Sequence, residues 1–451
     1  MAQPLLSGDI VADRAKFKAN FLQWRITRRA RSYRIYVVEP DAYRPEHHGR
    51  VFNAALTALV APELSRADPF APHPPIVSFT HFDLVTFPEA FLPKEDLLSA
   101  LTGLSSLDSL GCVHVGLRPT MDRDQHLFHV TELSQLVESL ANLPKIERTD
   151  LIPFSDWLQA QSCEQLFNIG CLFTIDSDGR LRVCLHPKLI RSRFEVNPLH
   201  EHHMTEADLL TVVTLLPSDR ALFSVTVQPL LCSDVLQLST DRPHSRPMDA
   251  VNTDAHCLGD RPPDHIDVVS VATCSPQQEL PTSKGDRCRV WHQEFRESFR
   301  RAALDDSLAR HHYAVFVLAN FRNSPDSKPG GLSGIFIPLP ISGARYPTFV
   351  NVSSYGRPKD GGGGENQWSP PGRAEDIAEK QSSLGHIASL DPLASGNSTA
   401  ACMLGVTVVR LPRDTSRLGP TEGLADFQIW TATYDPGDAN LAFVQMGASD
   451  E

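Results

Sequence analysis

Short apolar runs of strand length recur along the chain, separated by helical patterns and turns. Residues 33–38, 82–87, 112–117 and 167–175 read as strands, because β-branched and aromatic residues crowd into them with few charges. Residues 52–61, 97–104 and 133–143, rich in Leu and Ala, read as helices. Asp176 to Gly179 supplies turn chemistry, and 181–185 returns as a strand. Residues 209–216 and 222–231 form a hairpin-like pair around 217–220. Further strands are expected at 266–271, 313–318, 334–337, 403–411 and 427–433. A helix is expected over 291–310, with Phe295, Phe299, Ala302 and Ala303 at helical spacing. Strands alternating with helices predict an α/β, or layered α+β, architecture with buried sheets.

Three parts of the chain break this pattern. Residues 1–32 read as a basic N-terminal arm, a solvated helix or frayed terminus carrying Arg14, Lys16, Lys18, Arg25, Arg28, Arg29 and Arg31. Residues 238–264, rich in Asp, His, Arg and Pro, read as an insertion. So do residues 355–398, with four consecutive glycines, a Pro pair and many serines. Neither composition is expected to bury much apolar surface. What remains, 33–440, reads as a single domain, followed by a tail at 441–451.

The balance of 54 acidic against 42 basic residues, a net charge of -12, argues against nucleic acid as the main partner. No apolar run approaches the roughly 20 residues that span a bilayer, and the first ten residues lack the organisation of a secretory signal. The nine cysteines are scattered and none are spaced Cys-x-x-Cys, which argues against a disulfide framework and a structural zinc site. A reducing, cytoplasmic setting is the expectation. His200, Glu201, His202 and His203 offer imidazole and carboxylate, but no His-Glu-x-x-His pattern completes a ligand set, so no metal is expected.

Reactive side chains stand where three of the apolar runs end: Glu89 after Phe87-Pro88, Lys188 near the end of 181–185, and Cys232 after 222–231. Singly, each has an ordinary structural explanation. The carboxylate could cap a helix, the lysine could be solvated, and the cysteine could be a small core residue. Together and in order, they resemble the nitrilase (carbon–nitrogen hydrolase) superfamily. The resemblance is carried by Phe87-Pro88-Glu89, by Phe167-Asn168, Asp178-Gly179 and Lys188, and by Leu230-Leu231-Cys232-Ser233-Asp234. Downstream landmarks are Ala319-Asn320 and Gly330 to Gly334 with Ser333.

The resemblance implies a four-layer α-β-β-α sandwich, homo-oligomers and no cofactor. It implies Cys232 as nucleophile, Glu89 as proton acceptor and donor, and Lys188 beside the attacked carbon, with the backbone N–H of Ser233 as a second oxyanion donor. It also implies a second glutamate between Lys188 and Cys232. Glu195, Glu201 and Glu206 are the candidates, and Glu201 lies best, just before the strand from Leu209. The stretch from Glu89 to Lys188 is long for such a domain, with the excess placed in 119–165. The expected activity is hydrolysis of a small amide, or else a nitrile or carbamoyl compound. Acyl transfer through the same thioester, and a ligand-binding module without turnover, are the alternatives.

Overall fold

The computed structural model describes residues 17–28, 32–41, 43–60, 82–192, 195, 203–236, 246–253, 263–275, 295, 298–299, 302, 310–311, 314–321, 333–339, 348–351, 400–411, 422–433 and 443–445. The chain opens with β1 (Lys18–Ile26), β2 (Ser32–Pro40), α1 (Pro45–Val60), β3 (Leu84–Thr86), β4 (Leu92–Pro93), α2 (Lys94–Leu104) and β5 (Leu110–Arg118). There follow β6 (Phe128–His129), α3 (Val130–Ala141), α4 (Ile152–Gln159), β7 (Leu166–Phe167), β8 (Ile169–Ile175), β9 (Leu181–Pro187), β10 (Leu209–Pro217) and β11 (Val225–Leu231). The last elements are α5 (Pro247–Thr253), β12 (Val268–Ala272), β13 (Val315–Ala319), β14 (Gly334–Leu339), β15 (Thr348–Asn351), β16 (Ala400–Arg410), β17 (Glu422–Thr433) and β18 (Phe443–Gln445).

Among the described residues the strands form two large sheets, making a mixed α+β fold. One runs β1-β10-β11-β12-β13-β14-β15. The other runs β18-β17-β16-β2-β3-β5-β8-β9, with β4 beside β5. Strand pleating divides each sheet's side chains between two faces. Ile35 and Val37 of β2, Leu84 of β3 and Leu172 of β8 meet Val213, Val227, Val268 and Val317 from the other sheet in one buried cluster. The alternate residues Tyr36, Val38, Val85, Phe173, Phe316 and Leu318 belong to the second cluster, which also takes in the helices. Phe52 of α1 packs on Phe87 and Phe173, which places that helix on the outer face of the larger sheet.

Residues 18–26 depart from the expected arm. Lys18–Ile26 is an edge strand, paired in parallel with β10 from Lys18↔Leu209 to Ile26↔Pro217. Past the exposed Lys18 that opens it, its polar residues obscure a period of two: Asn20, Trp24 and Ile26 are buried while Gln23 and Arg25 are exposed. Arg182 lies over the Trp24 ring at 5.9 Å and holds Asp150 by two bonds of 2.6 and 2.7 Å.

The stretch read as an insertion at 238–264 also departs from expectation. Its α5 buries Met248, Ala250 and Val251 completely. A polar network compensates for its composition. His311 joins Gln228 of β11 at 2.8 Å and Asn252 of α5 at 2.8 Å, and Arg246 pairs with Asp249. The expected helix at 291–310 lies largely outside the described residues. Its Phe299 is buried and stacks on Phe316 of β13 at 4.6 Å. Residues 355–398 lie outside them entirely. The long stretch after β5 contains α3 and α4.

If β1 is built into the sheet, Trp24→Ala costs about 3–5 kcal/mol of unfolding free energy in urea titration. Gln23→Ala, at the neighbouring exposed position, stays within about 0.5 kcal/mol. Equal effects at the two positions would return 18–26 to a frayed arm.

Buried histidines give the fold a pH dependence. His114 and His186 face each other at 3.1 Å between the sheets. Burial pushes His186 down to about 3 and His114 well below its ordinary value. The folded state therefore binds fewer protons than the unfolded chain below about pH 6.5, and stability falls as pH drops through that range. The slope is roughly 1.4 kcal/mol per pH unit for each histidine. Replacing His186 with Gln should reduce it, as read from denaturation midpoints between pH 7 and 5.

Candidate functional site

The site lies where the ends of β3, β9, β11 and β12 converge. After β3 the chain turns through Pro88, Glu89 and Ala90, and Ala90 adopts a left-handed φ of 50°. Strand β5 fixes this turn. Phe87 N–H donates to His114 O at 2.8 Å, Gly116 N–H to Pro88 O at 3.0 Å, and Phe91 N–H to Gly116 O at 3.0 Å. Only glycine fits at 116, because a Cβ there would lie 2.4 Å from Glu89 Cα and 2.6 Å from Ala90 N. Behind the turn, fully buried Arg118 donates to Tyr43 Oη at 2.6 Å, to Thr120 O at 2.6 Å, and to the carbonyls of Asp122 and Gln125. It therefore fastens the segment after β5 beside the site. Half-buried His126, on that segment, lies in the field of Glu195 and Lys188.

Lys188 follows β9 and is 1% exposed. Its Nζ lies 2.7 Å from Glu89 Oε1 and 2.8 Å from Glu195 Oε2. Asn168, between β7 and β8, donates from Nδ2 to Glu89 Oε1 at 2.9 Å and to Glu195 Oε1 at 2.8 Å. Glu89 Oε2 accepts the N–H of Cys274 at 3.2 Å, and Glu195 Oε2 accepts that of Ser192 at 2.8 Å. Among the candidates for a second glutamate, the structure puts Glu195 against Lys188. Glu206 accepts the N–H of Arg191 instead, and Glu201 lies outside the described residues. Ser192 decides this: its N–H draws Glu195 back toward the lysine, a contact that sequence spacing does not reveal.

Cys232 begins a single 3₁₀ turn at the end of β11 with a left-handed φ of 38°. A non-glycine residue holds such a conformation only when its surroundings over-determine it. Here Asp234 does so, accepting the N–H groups of Leu189 at 2.9 Å, Ile190 at 2.8 Å and Leu231 at 3.1 Å. Ser233 Oγ donates to Ile190 O at 2.6 Å. The turn carrying Cys232 and the segment carrying Lys188 are thus bonded to each other. Cys232 Sγ lies 3.2 Å from Ser275 Oγ, which lies 2.7 Å from Thr273 Oγ1. Ser275 is locked by Asn320, whose amide bonds both its N–H and its C=O, and Asn320 in turn bonds Ser333.

The electrostatics divide the two glutamates. Burial pushes Glu89 above the usual carboxylate range, and Lys188 only partly offsets it. Burial acts on Glu195 too, but Lys188 outweighs it and holds Glu195 low. Lys188 is depressed by burial and lifted further by Glu195 and Glu89, so it stays an ammonium. Burial, and then the charge of Glu89, push Cys232 up to about 12. The site therefore holds a thiol and an ammonium beside one carboxyl group pushed up and one held low.

No protein-family model matches the chain, and no curated protein matches it. Among the solved structures that match is the crystal structure of an N-terminal amidase with an Asn-Glu-Ala peptide. It is 10% identical, the match covers 68% of this chain and 90% of that one, and the TM-score is 0.34.

Neutralising Glu89 should acidify Cys232, because one of the two causes of the raised thiol is removed while Lys188 remains. In Glu89→Gln, the pH midpoint of Cys232 alkylation, followed by peptide mass after iodoacetamide pulses, falls below that of the wild type. A midpoint that is unchanged or higher would contradict the coupling.

Proposed function

We propose that the chain is a carbon–nitrogen hydrolase of the nitrilase type, acting on small amides through a Cys232 thioester. The observation that carries this reading is Lys188, buried 2.7 Å from Glu89 and 2.8 Å from Glu195, with Cys232 held at a left-handed strand end within the electrostatic field of Glu89 and Lys188. Environments that push two carboxylates apart mark one as a proton exchanger and the other as a fixed charge. Glu89 is the exchanger and Glu195 the fixed partner of Lys188. The two facing sheets, with helices on their outer faces, support the four-layer α-β-β-α sandwich of that superfamily.

In the proposed reaction, Glu89 accepts the thiol proton as Cys232 Sγ attacks the amide carbon. Lys188 has three N–H bonds, two of them directed to carboxylates. The third and the backbone N–H of Ser233 stabilise the oxyanion. The C–N bond breaks as Glu89 returns the proton to the nitrogen, releasing ammonia or an amine. Water, deprotonated by Glu89, then attacks the thioester, which yields a carboxylic acid and restores the thiol.

The test is ammonia release from matched primary amides, nitriles and carbamoyl compounds of aliphatic and aromatic acyl groups, with intact-mass detection of a Cys232 adduct. Cys232→Ala should abolish turnover, and Lys188→Ala should lower it by at least about 100-fold. Adducts released only when an amine is added would indicate acyl transfer. Neither turnover nor adduct across the panel would leave a binding module.

A further inference from the structure

Asn168 holds an unspent hydrogen-bonding group at the centre of the site. Its side-chain orientation is dictated: both neighbours of Nδ2 are carboxylate oxygens, and turning the amide over would set Oδ1 against two anions. Oδ1 is therefore fixed on the opposite branch. There it is fully buried and has no hydrogen-bond partner, on a residue that is 1% exposed. A buried acceptor left unpaired costs stability, and such groups in a native fold call for a physical reason. Amide bond lengths place Oδ1 about 2.2 Å from Nδ2, and hence within about 5 Å of Glu89 Oε1 and Glu195 Oε1.

We infer that Asn168 Oδ1 accepts an N–H of the scissile amide, and so selects amides over nitriles and esters. The inference rests on the hydrolase reading above and adds the contact that selects the amide. A leaving nitrogen that takes its proton from Glu89 must come within hydrogen-bond distance of that carboxyl group. Because Oδ1 and Glu89 Oε1 lie within about 5 Å of each other, a nitrogen seated between them is within hydrogen-bond distance of both. A primary amide meets this acceptor with a donor. A nitrile nitrogen and an ester oxygen both meet it with a lone pair, leaving the acceptor unpaired and opposed. Sites built to bond an N–H discriminate strongly against analogues that lack it. With Oδ1 engaged, the Asn168 amide would be satisfied on every side: two N–H donors on the two glutamates and its oxygen on substrate.

Asn168 also positions both glutamates, so the test must separate the two roles. The measurement is the single-turnover rate of Cys232 acylation, by intact mass, for butyramide, butyronitrile and methyl butyrate, and for the matching phenylacetyl set. In the wild type the amide should acylate at least about 100-fold faster than the nitrile. In Asn168→Leu and Asn168→Ala both rates fall through the glutamates, but the amide rate should fall about 10–100-fold further than the ester rate. Amide and ester rates falling by the same factor would overturn the inference and leave Asn168 as a positioning residue. So would equal wild-type rates for amide and nitrile, which need no folded variant to measure. Adducts from none of the six compounds or the earlier panel would instead sink the hydrolase reading.

Discussion

An ammonium ion with almost no contact with water has to be matched in charge and hydrogen bonding where it stands, and the buried Lys188 sets this requirement for the whole site. The structure meets it with carboxylates brought from two separate segments, one at the end of β3 and one after β9. Two carboxylates around one cation leave an excess of negative charge. Asn168 relieves part of it by donating one N–H to each glutamate. The rest appears as asymmetry, with Glu89 driven toward its protonated form and Glu195 kept ionised. A group that exchanges protons next to one that does not is a consequence of placing an odd number of charges in a poorly solvated space.

The same demand explains the backbone around the site. Glu89 can reach Lys188 only from a turn pressed against β5, which requires Gly116 and a left-handed Ala90. Cys232 reaches the cluster from another left-handed residue, held by three N–H bonds to Asp234. Burial pushes Asp234 up to about 8, against the pull of those donors. The fold therefore carries several individually unfavourable features at one end of its strands, as folded proteins commonly do at functional sites.

How much of this was legible in the sequence depended on which residues carry the signal. The interior strands were visible because β2, β8, β9 and β13 are buried on both faces and read as apolar runs. Edge strand β1 was hidden, since it opens on an exposed Lys18, its outward positions hold Gln23 and Arg25, and its inward ones include Asn20. Helix α5 was hidden for a related reason: polar bonds through Gln228, Asn252, His311 and Arg246 anchor it inside a segment of polar composition. Glu89, Lys188 and Cys232 stood at strand ends, where the sequence drew attention to them, and the structure puts Glu89 and Lys188 in contact. Glu195 was one of three equivalent glutamates in the sequence, and the contact that distinguishes it runs through the backbone of Ser192.

A buried polar ladder accounts for how strand ends from two separate sheets stay aligned. Thr86 of β3 bonds Ser270 of β12 at 2.7 Å, Ser270 bonds His114 of β5 at 2.7 Å, and His114 bonds His186 of β9 at 3.1 Å. Apolar contacts between sheets are non-directional and tolerate sliding, whereas hydrogen bonds in a low-dielectric interior do not. Three of these four residues stand a few positions before residues of the site: Thr86 before Glu89, Ser270 before Thr273 and Ser275, His186 before Lys188. With both imidazoles neutral, one proton lies between the two Nε2 atoms, so the bonds must all run in one direction, from His186 to Thr86 or the reverse. Any slip of one sheet against the other would break the ladder and orphan several buried groups at once. The polar layer beneath the site thus fixes the register on which the Glu89–Lys188 contact depends.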